Sequence, residues 1–395
     1  MKLLPLPPAL LRVGEPLPVP LRDADGRLLW PRGHVLADEA QRQHLLERQP
    51  QVEEMEMERL QRDWVQVMER MVVRDEVLGR IAQVRPPQGE GPAPTAEEAG
   101  GLAAGPWTDR CLQLRQHLGN TLQAPGAADF LPRLQWDHEA LDGLMHQAPD
   151  DTLLVLLHDI AHDHRDYGVQ HSLVVAALCA AVAADTPGAW PPTRRRVLLQ
   201  AALTSNLSIV NLKTRLAQAP RALTPEERAR LAGHTERSAQ ALQAAGVDDN
   251  DWLEAVARQP RGTAELARLL HKADVFTARL SPRQSRVALS ATQAARAAFL
   301  TVDGDTDPMG AQLIKALGLY PPGTWVRLKS KEVGLVRRRG TRTSEPWVAS
   351  LMGASGLPLA TPVLRDTANP AHQVVQALAP HEVKLRAPLE AVLAL

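Results

Sequence analysis

Apolar residues recur at helical spacing through most of the chain, whereas short runs of alternating apolar and polar residues occupy its two ends. From residue 107 to residue 318 the periodicity predicts a series of helices. The predicted breaks between them are Pro125-Gly126, Pro187-Gly188, Pro191-Pro192, Pro220, Gly246 and Pro260. Residues 16–21 and 27–30 alternate around Asp25-Gly26, a dipeptide typical of a β-hairpin. Alternation resumes after Gly318 and predicts strands at 325–328, 333–336 and 347–349.

A long helix is predicted between the N-terminal hairpin and this helical region, from Pro50 to about Ala82. Asp38 is the expected N-cap of a shorter helix before it. Apolar residues of the long helix recur at alternating spacings of three and four, at Met57, Leu60, Trp64, Val67, Met71 and Leu78. Two interpretations are open: the stripe packs within its own domain, or residues 52–82 form a coiled coil that joins two copies in a homodimer.

Changes in composition divide the chain into four predicted parts. Residues 1–84 form a small N-terminal module of a β-hairpin and helices, and the Pro- and Gly-rich residues 85–106 form a flexible linker. Residues 107–319 form a helical domain, and residues 320–395 form a β-rich C-terminal extension. The predicted fold class is therefore mainly α, a helical bundle with a small β-containing module before it and a short β-rich extension after it.

Composition excludes several classes of protein. The 395 residues include 45 Lys and Arg and 45 Asp and Glu, so no net charge favours nucleic acid or a membrane surface. The clusters 194–196 and 337–339, three arginines each, are expected on solvated faces. Two cysteines form neither a disulfide framework nor a zinc site. No stretch approaches the eighteen or so uninterrupted apolar residues of a membrane span, so the protein is expected in the cytoplasm.

One helical segment carries a recognisable motif. Asn206 is followed after eighteen residues by Thr224 of Leu-Thr-Pro-Glu-Glu, and His234 comes ten residues later. This register resembles that of the HD-GYP family, HD-superfamily phosphodiesterases that hydrolyse cyclic di-GMP. The resemblance covers roughly residues 150–370 and includes the tail segment 320–326. It implies an HD-superfamily helical bundle, and it implies that His171, His234 and Asp274 correspond to family metal ligands.

The resemblance also identifies what this chain has lost. Ser205 and Asn206 stand where the family has a His-Asp pair, and Ile209 stands where it has a Lys. After Ala257 the chain lacks the double His and the Gly-Tyr-Pro loop. The family uses a dinuclear iron or manganese site, and Ser and Asn are weak ligands for such ions. We therefore expect no metal cofactor, and we expect His171, His234 and Asp274 to form a hydrogen-bonded polar cluster.

A second histidine cluster keeps an alternative function open. His158 and His162 are four residues apart on a predicted helix and His164 follows, a spacing at which two imidazoles share one face. The favoured expectation there is solvated helix surface. The favoured function is a catalytically inactive HD-GYP-like protein that acts in bacterial signalling by binding a protein partner or a cyclic dinucleotide. The alternatives are an active phosphohydrolase with an atypical site and a purely structural helical domain.

Overall fold

The computed structural model describes residues 3–15, 17–23, 28–30, 36, 38–54, 57, 102, 105–163, 165–259, 264–284, 286–299 and 307–395. The chain divides into two compact units, Met1–Ala103 and Ala104–Leu395. The architecture is mainly α with a small antiparallel sheet in each unit, so the predicted fold class is confirmed.

The first unit is built on four short strands: β1 (Leu3–Pro5), β2 (Leu21–Arg22), β3 (Leu28–Trp30) and β4 (Gln51–Glu53). They pair in the antiparallel order β1-β4-β2-β3, and β2 and β3 form the hairpin expected from Asp25-Gly26. Helix α1 (Glu39–Glu47) begins at the predicted N-cap, since Asp38 accepts a 2.8 Å hydrogen bond from the Gln41 amide. The core contains Leu11, Leu36 and Val52.

The long helix predicted from Pro50 is wrong at its start. Residues 51–53 form strand β4, because Gln51 and Val52 pair with β1 and the buried Val52 side chain enters the core. Beyond residue 57 the stripe and the proposed dimer-forming coiled coil lie outside the described residues.

The second unit contains thirteen further described α-helices, all within 107–395. They are α2 (Trp107–Gln123), α3 (Phe130–Gln147), α4 (Pro149–His162), α5 (Tyr167–Asp185), α6 (Pro192–Thr204), α7 (Val210–Gln218), α8 (Pro225–Ala232), α9 (His234–Ala244), α10 (Asn250–Ala257), α11 (Glu265–Leu280), α12 (Ala291–Phe299), α13 (Pro308–Leu317) and α14 (Leu389–Leu393). Helix boundaries follow the predicted Pro and Gly breaks, since α2 ends before Pro125, α6 begins at Pro192 and α9 ends before Gly246.

Helix α5 is the centre of this unit. It is rich in Ala, Leu and Val, and it packs against α4, α6, α7, α11 and α13. Its length and apolar composition would suit a membrane span, but 94% of the apolar window is buried inside the protein, as in the core helix of a bundle. Gly168 near its start allows α7 to approach closely, because a Cβ there would lie 2.1 Å from the Val210 carbonyl oxygen.

The C-terminal sheet packs on this bundle. Its strands are β5 (Trp325–Leu328), β6 (Val333–Arg338), β7 (Trp347–Met352), β8 (Pro358–Asp366) and β9 (Val374–Leu378), in the antiparallel order β8-β7-β6-β5-β9. Strand β6 lies against α4, where Arg337 donates to Asp151 at 2.6 Å and Arg339 pairs with Asp150.

These contacts correct the expectation of solvated faces for Arg337 and Arg195, whereas Arg196 and Arg338 are exposed as expected. Arg337 is 8% exposed and fastens β6 to α4. In the other cluster, Arg195 donates to Asp142 at 2.6 Å and so joins α6 to α3. Arg337 and Arg195 each have an ion-pair partner on another element, which periodicity within one helix cannot indicate.

Candidate functional site

Three helices and one turn bring a polar cluster together around one carboxylate. Asp274 lies on α11, and its Oδ1 atom receives three nitrogen donors from other elements. His171 Nε2 on α5 is 2.6 Å away, Asn206 Nδ2 in the turn after α6 is 3.1 Å away, and Lys213 Nζ on α7 is 3.2 Å away. Two of the five predicted positions, His171 and Asp274, are thus in direct contact, and Asn206 joins them.

His171 has both ring nitrogens occupied. Because ionised Asp274 can only accept, Nε2 carries the proton and donates to it, and Nδ1 accepts from the Tyr167 hydroxyl at 3.2 Å. Both Tyr167 and His171 are fully buried, and Tyr167 lies one helical turn earlier on α5. Burial, reinforced by Lys213, lowers the pKa of His171 to about 4, so the imidazole is neutral at pH 7.

Asp274 carries the negative charge of the cluster. Burial alone would raise its pKa, but the Lys213 ammonium and His171 outweigh that effect and hold the pKa of Asp274 well below its usual range. All of its hydrogen bonds within the described residues end on Oδ1, while the side chain remains 23% exposed. The carboxylate is therefore anchored at one oxygen and retains contact with solvent.

Ser205 and Asn206 occupy the tight turn between α6 and α7, and both are fully buried. Asn206 Nδ2 lies 3.2 Å from Ser205 Oγ as well as near Asp274, and Ser205 Oγ donates to the Ala202 carbonyl at 3.3 Å. The Asn206 Oδ1 atom is buried and has no hydrogen-bond partner among the described residues. Asn206 thus faces Asp274 as a donor.

His234 stands apart from this network. It is the first residue of α9, and its Nδ1 lies 2.6 Å from the Leu231 carbonyl oxygen. No hydrogen bond in the described structure joins His234 to His171 or Asp274. Burial lowers the pKa of His234, and its half-buried ring stays outside the described hydrogen-bond network around Asp274.

The Leu-Thr-Pro-Glu-Glu segment before His234 has a local structural role. Thr224 Oγ1 accepts from the Glu227 amide at 3.2 Å, and Glu227 Oε2 accepts from the Thr224 amide at 2.9 Å. This reciprocal pair is a capping box that begins α8, with Pro225 at the first helical position. The same chemistry is readable from the sequence, since Thr is followed three residues later by Glu.

Lys213 is the residue that sequence comparison missed. Ile209, aligned with the family Lys, is buried in an apolar cluster with Leu212 and Leu216. Lys213 lies on α7, four residues after Ile209, and its side chain, which is 10% exposed, reaches Asp274. A lysine on an otherwise apolar face was the available signal.

In the second histidine cluster His158 differs from the expected solvated surface, whereas His162 is exposed as expected. His158 is 6% exposed, its ring stacks on His162 with centroids 4.1 Å apart, and the Trp325 ring of β5 lies 6.4 Å away. His162 Nδ1 lies 2.7 Å from the His158 carbonyl oxygen. Burial lowers the pKa of His158 to about 3. His164 lies outside the described residues.

The donor set does not suit a divalent cation. Among the residues described, no group of three or more His, Cys, Asp and Glu side chains is placed to hold a metal ion. At Asp274 the neighbours present N–H groups rather than lone pairs, and one of them is an ammonium. A dinuclear iron or manganese centre requires several anionic and imidazole ligands, which these residues do not supply.

Comparison with solved structures finds similarity to Bd1817, an HDG"Y"P protein from Bdellovibrio bacteriovorus. The two chains are 15% identical, the match covers 80% of this chain and 98% of that chain, and the TM-score is 0.44. No protein-family model matches the sequence, and no curated protein matches it. Function must therefore be argued from the geometry of the site.

Proposed function

We propose that this chain is a catalytically inactive HD-GYP-like protein that acts by binding in cytoplasmic bacterial signalling. The observation that carries the proposal is the Lys213 ammonium 3.2 Å from Asp274 Oδ1. Lys213 and Asp274 balance each other's charge, and an ammonium at that distance repels a second cation at the same oxygen. The sequence resemblance is the basis for the HD-GYP-like assignment, and this ion pair supports the loss of metal-dependent hydrolysis.

Two-metal hydrolysis needs a pair of cations about 4 Å apart, which generate the nucleophile and neutralise the phosphate. Here Asn206 is neutral, and His171 is committed to Asp274 and Tyr167 through both nitrogens. His234 is bonded to a backbone carbonyl. With one carboxylate already neutralised, no assignment of these side chains provides two metal positions.

An atypical active site around His158 and His162 is disfavoured by the same kind of argument. His158 lies on α4 and packs against the C-terminal sheet, and a Cβ on Gly323 would lie 3.1 Å from the His158 backbone nitrogen. Because the imidazole is buried, it is not available to a phosphodiester substrate, and the same burial lowers its pKa to about 3 and keeps it neutral.

A binding function has two candidate ligands, a signalling protein partner and a cyclic dinucleotide. The experiment combines calorimetric titration with cyclic di-GMP and chromatographic analysis of the same mixture, with manganese and with EDTA. Binding without turnover supports a nucleotide receptor, and no binding favours a protein partner. Turnover to the linear dinucleotide that EDTA abolishes and manganese restores would overturn the proposal.

A further inference from the structure

The described structure contains a cation that the sequence motif does not assign. Lys213 on α7 and Asp274 on α11 meet 61 residues apart in the chain, and the lysine side chain is only 10% exposed. We propose that Lys213 is the resident cation of this site, which takes the position that a divalent ion would need and orients the polar groups around Asp274. This inference rests on the proposed function only in assuming that no metal chemistry occurs at Asp274.

The backbone around Lys213 is held firmly in place. Helix α7 starts against α5, because Gly168 has no side chain and lies directly on the Val210 carbonyl. Thr214, the neighbour of Lys213, accepts a 2.9 Å hydrogen bond from the Gly168 amide through Oγ1. These contacts fix α7 relative to α5. The Lys213 ammonium therefore has a defined position beside His171 rather than a range of surface positions.

The orientation of the neighbouring groups is the reverse of what a metal ion requires. His171 presents its Nε2 proton to Asp274, and Asn206 presents its amide NH₂ group. A metal ligand must present a lone pair, so His171 would have to change tautomer and Asn206 would have to rotate its amide. Both groups instead complete the shell of donors around a carboxylate that already has its counter-charge.

An ordinary buried ion pair and a resident cation predict different outcomes when the charges are removed. If the pair is ordinary, removal of Lys213 destabilises the protein and nothing else changes. If Lys213 holds a cation position, its removal leaves an anionic, partly solvent-accessible carboxylate, and an external divalent ion becomes able to compensate for the loss.

The test compares Lys213→Met, Asp274→Asn and the double variant with the parent. Lys272→Met is the matched control, because Lys272 lies on the same helix as Asp274 and its one ion pair within the described residues is a 3.9 Å contact with Asp307. Thermal unfolding of the full chain is followed by circular dichroism in EDTA and in millimolar manganese chloride.

We expect Lys213→Met to lower Tm by roughly 5 to 10 °C, because an uncompensated charge remains buried, and Lys272→Met to lower it by roughly 1 to 2 °C. The double variant should recover more than half of the loss. Manganese should raise the Tm of Lys213→Met and leave that of the parent unchanged.

Three results would overturn the inference. A Tm of Lys213→Met that manganese does not raise would mean that the pair is an ordinary buried ion pair. Additive effects of the single substitutions would mean that the Lys213–Asp274 contact is not formed in solution. An equal rise of Tm with manganese in the parent and in Lys213→Met would mean that the ion reaches Asp274 with Lys213 in place. Failure of the proposed function is decided by the separate turnover assay with cyclic di-GMP, so the two failures are distinguishable.

Discussion

The substitution Asn206→Asp restores the aspartate of the family motif, and the structure predicts that this substitution destabilises the protein. The new carboxylate would lie about 3.1 Å from Asp274 Oδ1, where the Asn206 amide nitrogen now donates a hydrogen bond. Two unit charges at that separation repel by about 5 kcal/mol at an effective dielectric constant near 20. Lys213 is already paired with Asp274 and can offset only part of this repulsion.

Proton uptake limits the cost, because a protonated carboxyl is nearly isosteric with Asn and can donate the same hydrogen bond. Protonating an aspartate with an unfolded pKa of about 3.9 costs about 4 kcal/mol at pH 7 and about 1.5 kcal/mol at pH 5. The folded pKa of the carboxylate pair is raised, so the destabilisation is greatest at pH 7 and diminishes as pH falls.

The assay is urea unfolding of the parent and the variant at pH 7 and pH 5, followed by circular dichroism. Asn211→Asp is the matched control, since Asn211 is exposed on α7. This variant should lose less than about 0.5 kcal/mol of unfolding free energy at either pH. A variant as stable as the parent at pH 7, or a loss that is equal at both pH values, would refute the geometry described for Asn206 and Asp274.

Four further outcomes are expected. Gly168→Ala should destabilise the protein by at least about 2 kcal/mol and loosen α7, because the new Cβ would meet the Val210 carbonyl. Gly143→Ala, which has open space around it, should be neutral or stabilising. Urea unfolding of both variants measures the difference. By the same measurement, Arg337→Met should lower the free energy of unfolding by about 2 to 3 kcal/mol. Arg342→Met should lower it by less than about 0.5 kcal/mol, because the Arg342 side chain is 76% exposed. His234→Ala should lower stability by only about 1 kcal/mol, since its recorded hydrogen bond is to Leu231; a loss as large as that of His171→Ala would place it inside the network. Ser205→His with Asn206→Asp should not restore manganese-dependent hydrolysis of cyclic di-GMP, because Lys213 remains beside Asp274; robust turnover in a chromatographic assay would contradict this.

The fold was predictable where local chemistry decides it. Helical periodicity and Pro or Gly breaks placed most helices of the second unit, and Asp38 capped α1 as expected. The prediction failed at residues 51–53, where pairing with β1 overrides a helical pattern. Strands β8 and β9 were not predicted, since Pro358 and Pro362 in β8 interrupt the usual alternation.

The site was predictable in part, and for a different reason. His171 and Asp274 are 103 residues apart, and only the family resemblance brought them together. Lys213 was not predicted because the motif aligns the family lysine with Ile209. The side chain that reaches Asp274 belongs instead to the residue four positions later, on α7. The burial of His158 depends on the C-terminal sheet, which no pattern within α4 reveals.

The most direct test of the central claim is the metal content of the purified parent protein. The protein would be incubated with excess manganese or ferrous iron under reducing conditions, desalted, and analysed by inductively coupled plasma mass spectrometry, with Lys272→Met treated in parallel. Because Lys213 already neutralises Asp274, we predict far less than one ion per chain in both proteins. One or two tightly bound ions per chain in the parent would contradict the account.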